Sequence, residues 1–145
     1  MTIDVGSPAP QFPALAAARG KNAIVYFYPK DDTPGCTKEA CAFQETLPDF
    51  SGADAVVIGV SKDSEASHDK FRKKYGLDFI LVSDGDGKIC EAYGVWVEKM
   101  NYGRKYMGIE RSTFLIDKAG VVRQLWRKVK VDGHAGKVLD ALKAL

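Results

Sequence analysis

The run AIVYFY at residues 23–28 is apolar at every position and rich in β-branched and aromatic side chains. A segment so short and so apolar predicts a strand buried on both faces. AVVIGVS (55–61) repeats the pattern and DFILVSD (78–84) supplies a third strand. Between the first two, Ala40, Phe43, Leu47 and Phe50 fall at helical spacing, and Thr33 followed by Pro34 is a start signal. A helix is therefore expected over 34–47. SEASHDKFRKKYG (64–76) reads as a polar amphipathic helix stopped by Gly76. GKICEAYGV (87–95) predicts a short helix, and residues 96–109 read as a Gly- and Lys-containing loop. RSTFLID (111–117) and VVRQLWR (121–127) predict two strands joined by KAG, with Gly120 free to take positive φ. GHAGKVLDALKAL (133–145) predicts a closing helix. The first twenty residues, punctuated by Pro8, Pro10 and Pro13, read as irregular or edge structure.

The order is βαβα, then a strand, a short helix, a hairpin and a helix. Alternation followed by a hairpin predicts an α/β domain, with a mixed central sheet and helices on both faces. A thioredoxin-like fold fits that order. No repeat, low-complexity tract or linker interrupts the chain, so residues 1–145 are expected to form a single domain. That length buries a sizeable core without disulfide staples. With 21 basic and 19 acidic residues the net charge is only +2, too balanced to imply nucleic acid or an acidic membrane surface as partner. The basic clusters at Arg104/Lys105 and in RKVK (127–130) read as solvated faces. The start MTIDVGSPAPQF has neither a basic beginning nor an apolar stretch, and the longest apolar run is residues 23–28. Both observations predict a soluble, cytoplasmic protein with no membrane span.

Three cysteines are too few, and too odd in number, for a secreted disulfide framework. In a reducing compartment a close pair points to catalysis or redox sensing. Cys36 and Cys41 lie five positions apart in TPGCTKEAC. With Thr33 as N-cap, Cys36 is the third residue of the helix, where unpaired N–H groups and the positive end of the dipole favour a thiolate. An ordinary cysteine is only about 3% thiolate at pH 7. A helix end contributes about 0.3–1 kcal/mol when exposed, so a cation from a distant part of the chain is wanted as well. On an intact helix a five-residue step separates Cα atoms by about 8–9 Å and turns the side chains roughly 140° apart. A disulfide needs Cα atoms within about 7 Å. Either this pair never bonds, or the helix unwinds in function.

Zinc is the rival reading of clustered cysteines, but the remaining ligand candidates, Cys90, His68 and His134, are isolated in sequence. No metal is expected. The absence of a C-x-x-C pair argues against a dithiol exchanger of the thioredoxin type. Cys90, in KICEAY, reads as structural, and His68 and His134 as surface or capping residues.

The stretch YPKDDTPGCTKEAC resembles the active-site segment of peroxiredoxins of the bacterioferritin-comigratory (PrxQ) group. Pro29, Thr33 and Cys36 fill the general pattern of the family, and TPGCT-x-EAC is filled through Cys41. VIGVSKDSEASHDKF, LVSDGDGK, YGV and GIERSTFLID extend the match. The resemblance implies a thiol peroxidase acting on hydrogen peroxide and organic hydroperoxides, with no metal or organic cofactor. It implies that Cys36 attacks the peroxide and becomes a sulfenic acid. Arg111 is similar to the family's active-site arginine and would be the missing cation. Thr33 would orient the peroxide, Pro29 and Pro34 would shield the thiolate, and the N–H groups of Gly35 and Cys36 would complete the donors. Cys41 matches the resolving cysteine of members that carry both thiols on one helix. The resemblance thus implies a Cys36–Cys41 disulfide, reduced by a thioredoxin-like donor, in a monomeric protein. One departure is the hairpin that family members carry before the first core strand, which reads here as shortened or irregular. A peroxide-sensing thiol switch acting on a binding partner is the alternative, and a plain thioredoxin-fold binding module the third.

Overall fold

The structure, a computed structural model, describes residues 3–145. A five-stranded sheet in the order β3-β2-β1-β6-β7 organises it. Its strands are β1 (Asn22–Phe27), β2 (Ala55–Ser61), β3 (Ile80–Ser83), β6 (Ser112–Ile116) and β7 (Val122–Trp126). β1, β2 and β3 run parallel, whereas β6 is antiparallel to β1 and to β7. The mixed α/β sheet expected from the alternation is present.

Period-two geometry divides the side chains of β1 and of Tyr28, the residue after it, between two cores. Ile24, Tyr26 and Tyr28 join Phe43 and Phe50 of α2 (Pro34–Gly52), Phe71 of α3 (Glu65–Tyr75) and Val138 and Leu142 of α5 (His134–Lys143). Ala23, Val25 and Phe27 face the other way, toward Leu15 of α1 (Pro13–Ala17) and Cys90 of α4 (Lys88–Ala92). An all-apolar strand is what a position covered on both faces requires. α3 has the start and stop read from its sequence. Ser64 accepts a bond from the Ser67 N–H, and Gly76 closes the helix at φ 64°.

The departures are local. α2 continues past the expected end at residue 47 to Gly52, passing through Pro48. Pro48 and its neighbour Asp49 are exposed, while Phe50 stays on the buried face. The segment 96–109, expected as a loop, is a two-stranded hairpin of β4 (Trp96–Asn101) and β5 (Arg104–Ile109). Its two-residue turn, Tyr102–Gly103, has positive φ at both positions (51° and 77°). A tyrosine there is not the Asn or Asp that normally advertises such a turn. The hairpin at Gly120 matches its expectation, with φ 83°. Near the N-terminus, the Gly6 N–H donates to the Val122 carbonyl (2.7 Å) and Pro8 bridges Val121, so this segment is edge structure as read. It also contains the short α1, which the prolines obscured. Among the described residues, no helix is long and apolar enough to cross a membrane.

Phe27 is fully buried between the rings of Tyr93 and Phe114, on the face of the sheet opposite α2. Phe27→Ala is expected to lower unfolding stability by about 3–5 kcal/mol, measured by urea denaturation.

Candidate active site

β1 delivers the chain at Tyr28 into the loop that opens α2. Thr33 is the N-cap, extended at φ −94° and ψ 155°, and its carbonyl accepts the Thr37 N–H at 2.8 Å. Its hydroxyl does not cap the helix. It donates instead to the Lys30 carbonyl (2.9 Å), which leaves the first N–H groups of α2 without a side-chain cap. Pro34 occupies the first helical position, where no N–H is needed. Cys36 follows two residues later, 2% exposed.

The cation sought from elsewhere is Arg111, which enters at the start of β6. Its Nη2 donates to Cys36 Sγ at 3.2 Å and its Nη1 to Glu39 Oε1 at 2.7 Å. Gly35 makes room for this approach, because a Cβ there would stand 3.3 Å from Arg111 Nη2. Burial opposes the charge on Arg111, but Glu39 and Cys36 outweigh it and hold its pKa above the usual value.

Glu39 was not singled out from the sequence. It lies one turn after Cys36 and is 1% exposed, and its Oε2 has no hydrogen-bond partner among the described residues. Burial pushes its carboxyl up to about 7, against the pull of Arg111. The signal was present: residues 36, 39, 40 and 43 share one helix face, and a glutamate among apolar positions on that face stands out. Lys99, on β4, also went unnoticed. Burial and the Arg111 charge lower its pKa, against Glu110 and Cys36. It lines both an open groove of about 470 Å³ with Arg111, Tyr106 and Val129 and a second groove with Pro29, Trp96 and Met107.

Cys41 is half-buried on the same intact helix, and all three thiols are free. Cys90 is fully buried, and burial together with the Asp84 carboxylate pushes its thiol far up, which suits a structural role. Neither histidine is at the surface, contrary to expectation. His134 is 4% exposed, bonded through Nε2 to Thr113 Oγ1 (2.8 Å), and burial lowers it to about 4. His68 is 2% exposed beneath the loop before α2. A polar helix can still bury one position against its neighbours, which composition does not reveal. Asp31, Asp63 and His68 bring potential metal-ligand atoms within 4.8 Å of one another. Both ring nitrogens of His68 are already engaged, by Asp31 (2.7 Å) and the Val82 carbonyl (3.0 Å), so it has no lone pair to offer a metal.

A buried cysteine at a helix start is thus held by an arginine that immediately precedes the neighbouring antiparallel strand β6. The AhpC/TSA family model matches residues 6–125. The chain belongs to the AhpC/TSA family. It is 52% identical to the putative peroxiredoxin Bcp of Coxiella burnetii, over 98% of this chain and all of that protein. The structure of Xylella fastidiosa PrxQ, in a cysteine-to-serine mutant form, aligns with a TM-score of 0.93 at 40% identity, covering 99% of this chain and 98% of that one. Xanthomonas campestris bacterioferritin comigratory protein, studied for alkyl peroxide reduction in trapped-intermediate and ligand complexes, aligns at 0.86 with 55% identity, covering 90% of this chain and 83% of that one. These relatives make the protein a peroxiredoxin of the Bcp (PrxQ) group with the thioredoxin-like fold, and its activity is that of a thiol peroxidase.

Glu39 carries a testable sign. Its folded pKa, near 7, lies above the ordinary value of 4.5, so folding binds a proton between these limits. Stability falls as pH rises through a window in which the native state holds more protons than the unfolded chain. The stability of the wild type relative to Glu39→Gln is therefore expected to fall from about pH 4.5 to about pH 7, read by urea denaturation across that range.

Proposed function

We propose that Cys36 is the peroxidatic cysteine and Cys41 its resolving partner in a thioredoxin-recycled peroxidase cycle. The observation that carries this is the 3.2 Å contact from Arg111 Nη2 to the Cys36 sulfur at the uncapped start of α2. A sulfur there meets a fixed cation and the positive end of a helix, both of which favour the thiolate.

In the first step a sulfur lone pair of the Cys36 thiolate attacks the distal oxygen of the peroxide. The S–O bond forms as the O–O bond breaks, and the departing alkoxide or hydroxide takes a proton to leave as alcohol or water. The sulfur is oxidised to sulfenic acid and the peroxide reduced. Arg111 stabilises the charge that develops on the peroxide oxygens. The free N–H groups of Gly35 and Cys36 add donors, Thr33 orients the peroxide, and Pro29 and Pro34 exclude water. The Cys41 thiol then displaces hydroxide from the sulfenic sulfur, giving the Cys36–Cys41 disulfide and water. A thioredoxin-like dithiol reduces that disulfide by exchange, becoming oxidised itself. The condensation cannot occur on the intact helix, so α2 opens between the peroxide step and disulfide formation. Hydrogen peroxide and organic hydroperoxides are the substrates, and the cycle needs only one copy of the chain. A cytoplasmic setting, where thioredoxin keeps thiols reduced, suits it. A peroxide-sensing switch would use the same pair once, without turnover, and the kinship with peroxiredoxins favours the enzyme.

The test is NADPH-coupled peroxide consumption with thioredoxin and thioredoxin reductase. Cys36→Ser is expected to abolish turnover and Cys41→Ser to weaken it greatly. Turnover that survives Cys36→Ser would overturn the assignment of the nucleophile. A single oxidation without turnover in the wild type would favour the switch. Arg111→Met is expected to slow the peroxide step by about 10²-fold or more, the scale of losing one preorganised charge-stabilising donor, read by stopped-flow fluorescence.

A further inference from the structure

The loop between β1 and α2 is fastened at both ends of α3. Asp31, buried on that loop, receives three contacts at its carboxylate and donates one bond from its backbone. Tyr28 Oη donates to its Oδ1 (2.6 Å), and Ser67 Oγ and His68 Nδ1 approach its Oδ2 (2.8 and 2.7 Å). The Asp31 N–H in turn donates to Asp63 Oδ2 (2.8 Å), which also accepts from Ser61 Oγ (2.7 Å). The next residue, Asp32, holds a positive φ of 58° and accepts from Lys74 Nζ (2.9 Å) and Tyr75 Oη at the far end of α3.

The histidine in this network must be an imidazolium. Its Nδ1 faces a carboxylate and its Nε2 a backbone carbonyl, and neither partner can donate. The charged groups around it are Asp31 and Asp63, from the loops after β1 and β2. The Tyr28 hydroxyl faces it from the end of β1 at 3.5 Å, and β3 supplies only the Val82 carbonyl. His68 is thus a buried cation fixed to the residue two positions before the N-cap of α2.

We propose that the Asp31–His68 ion pair is a positioning clamp for the peroxidase reaction, holding the loop of Pro29 and Thr33 against α3 and thereby the first turn of α2, with Cys36, under Arg111. The inference rests on the reading of Cys36 and Cys41 given above. A helix start whose N-cap loop is pinned is harder to unwind. The clamp therefore favours the conformer that meets peroxide and disfavours the open one that forms the disulfide. Loosening it acts on the two steps in opposite directions, which a general loss of packing would not do.

Burial opposes the charge on His68, yet the bonds to Asp31 and Val82 and the two carboxylates raise its pKa above 6.5. For Asp31, burial is outweighed by the bonds from His68, Tyr28 and Ser67, which lower its pKa below 3.8. A raised imidazole contributes stability in full below its unfolded pKa and loses it as pH rises through the folded one. The clamp is therefore strongest between these limits and weakens on the alkaline side.

The experiment is stopped-flow fluorescence of Trp96 and Trp126, resolving the peroxide-dependent phase from the peroxide-independent resolution phase, in the wild type, Asp31→Asn, His68→Gln and the double variant. The variants are expected to slow the first phase and speed the second, each on the order of fivefold or more, because bonds to charged groups exceed that factor. The double variant is expected to be no worse than the worse single one, as members of one unit are. The ratio of wild type to His68→Gln in the first phase should shrink as pH rises above neutrality. Ser67→Ala, which removes one donor and keeps the ion pair, should shift both phases with the same signs at smaller amplitude, and it decides the question should the pair variants fail to fold. Rates that are unchanged, or slowed alike in both phases, would overturn the clamp. Peroxide-dependent phases that persist in Cys36→Ser would instead overturn the reading of the nucleophile.

Discussion

A guanidinium with two partners governs this site. Arg111 is largely buried and lies between the Cys36 sulfur and the Glu39 carboxylate. A buried ion pair is weak evidence for stability, but removing one member of it leaves a charge uncompensated, which is strongly unfavourable. Its position follows from strand register. Phe27, the last residue of β1, pairs with Ser112, the first of β6. The antiparallel pairing therefore places Arg111 beside the point where the chain leaves β1 for the loop before α2. Neither residue could be assigned to the other from local sequence, because 75 positions separate Arg111 from Cys36.

The same arrangement creates a conflict along α2. Cys36 and Glu39 sit on one turn and are both tied to Arg111. Any bond between Cys36 and Cys41 must pull the sulfur off that guanidinium and dissolve the turn that contains Glu39. Glu39 is suited to letting go. One of its oxygens has no partner among the described residues and burial drives its pKa to about 7, so its hold on Arg111 is weaker than that of a fully bonded carboxylate. Further along, Phe43 stacks on Tyr26 at 4.6 Å and Phe50 is fully buried, so this part of the helix is fixed to the sheet.

Much of this was legible in the sequence because each signal was local. The all-apolar β1, the Thr33–Pro34 start and the Ser64 and Gly76 ends of α3 are patterns that backbone chemistry enforces within a few residues. The motif from Pro29 to Cys41 and the arginine of ERSTF were recognisable as a set, and the structure brings Cys36 and Arg111 together. What stayed hidden depends on partners distant in the chain. The turn of the β4–β5 hairpin uses Tyr102, whose positive φ only the pairing of its flanking strands compels. His68 reads as polar surface until Asp31 and the Val82 carbonyl are seen to enclose it. Glu39 gave a signal as a charge on an apolar face, but its purpose needs Arg111 to be visible.

Taken together, these attachments divide the chain around Cys36 into fixed and movable parts. The loop before α2 is fastened to α3 through Asp31 and Asp32, and α2 beyond Cys41 is fastened to the sheet through Phe43 and Phe50. Between these anchors lie residues 33–41, held by Arg111, by the Lys38–Asp132 ion pair, by burial of Cys36 and Ala40 and by helical hydrogen bonds. Pro34 contributes no N–H to that segment and Gly35 no side chain, so two of its residues would have little to lose were it to unwind as proposed. Gly35 is also what lets Arg111 Nη2 come close while the helix is formed. The Pro-Gly-Cys order places the sulfur against its cation in the folded helix, and the proposed cycle would open only this short segment, bounded on either side.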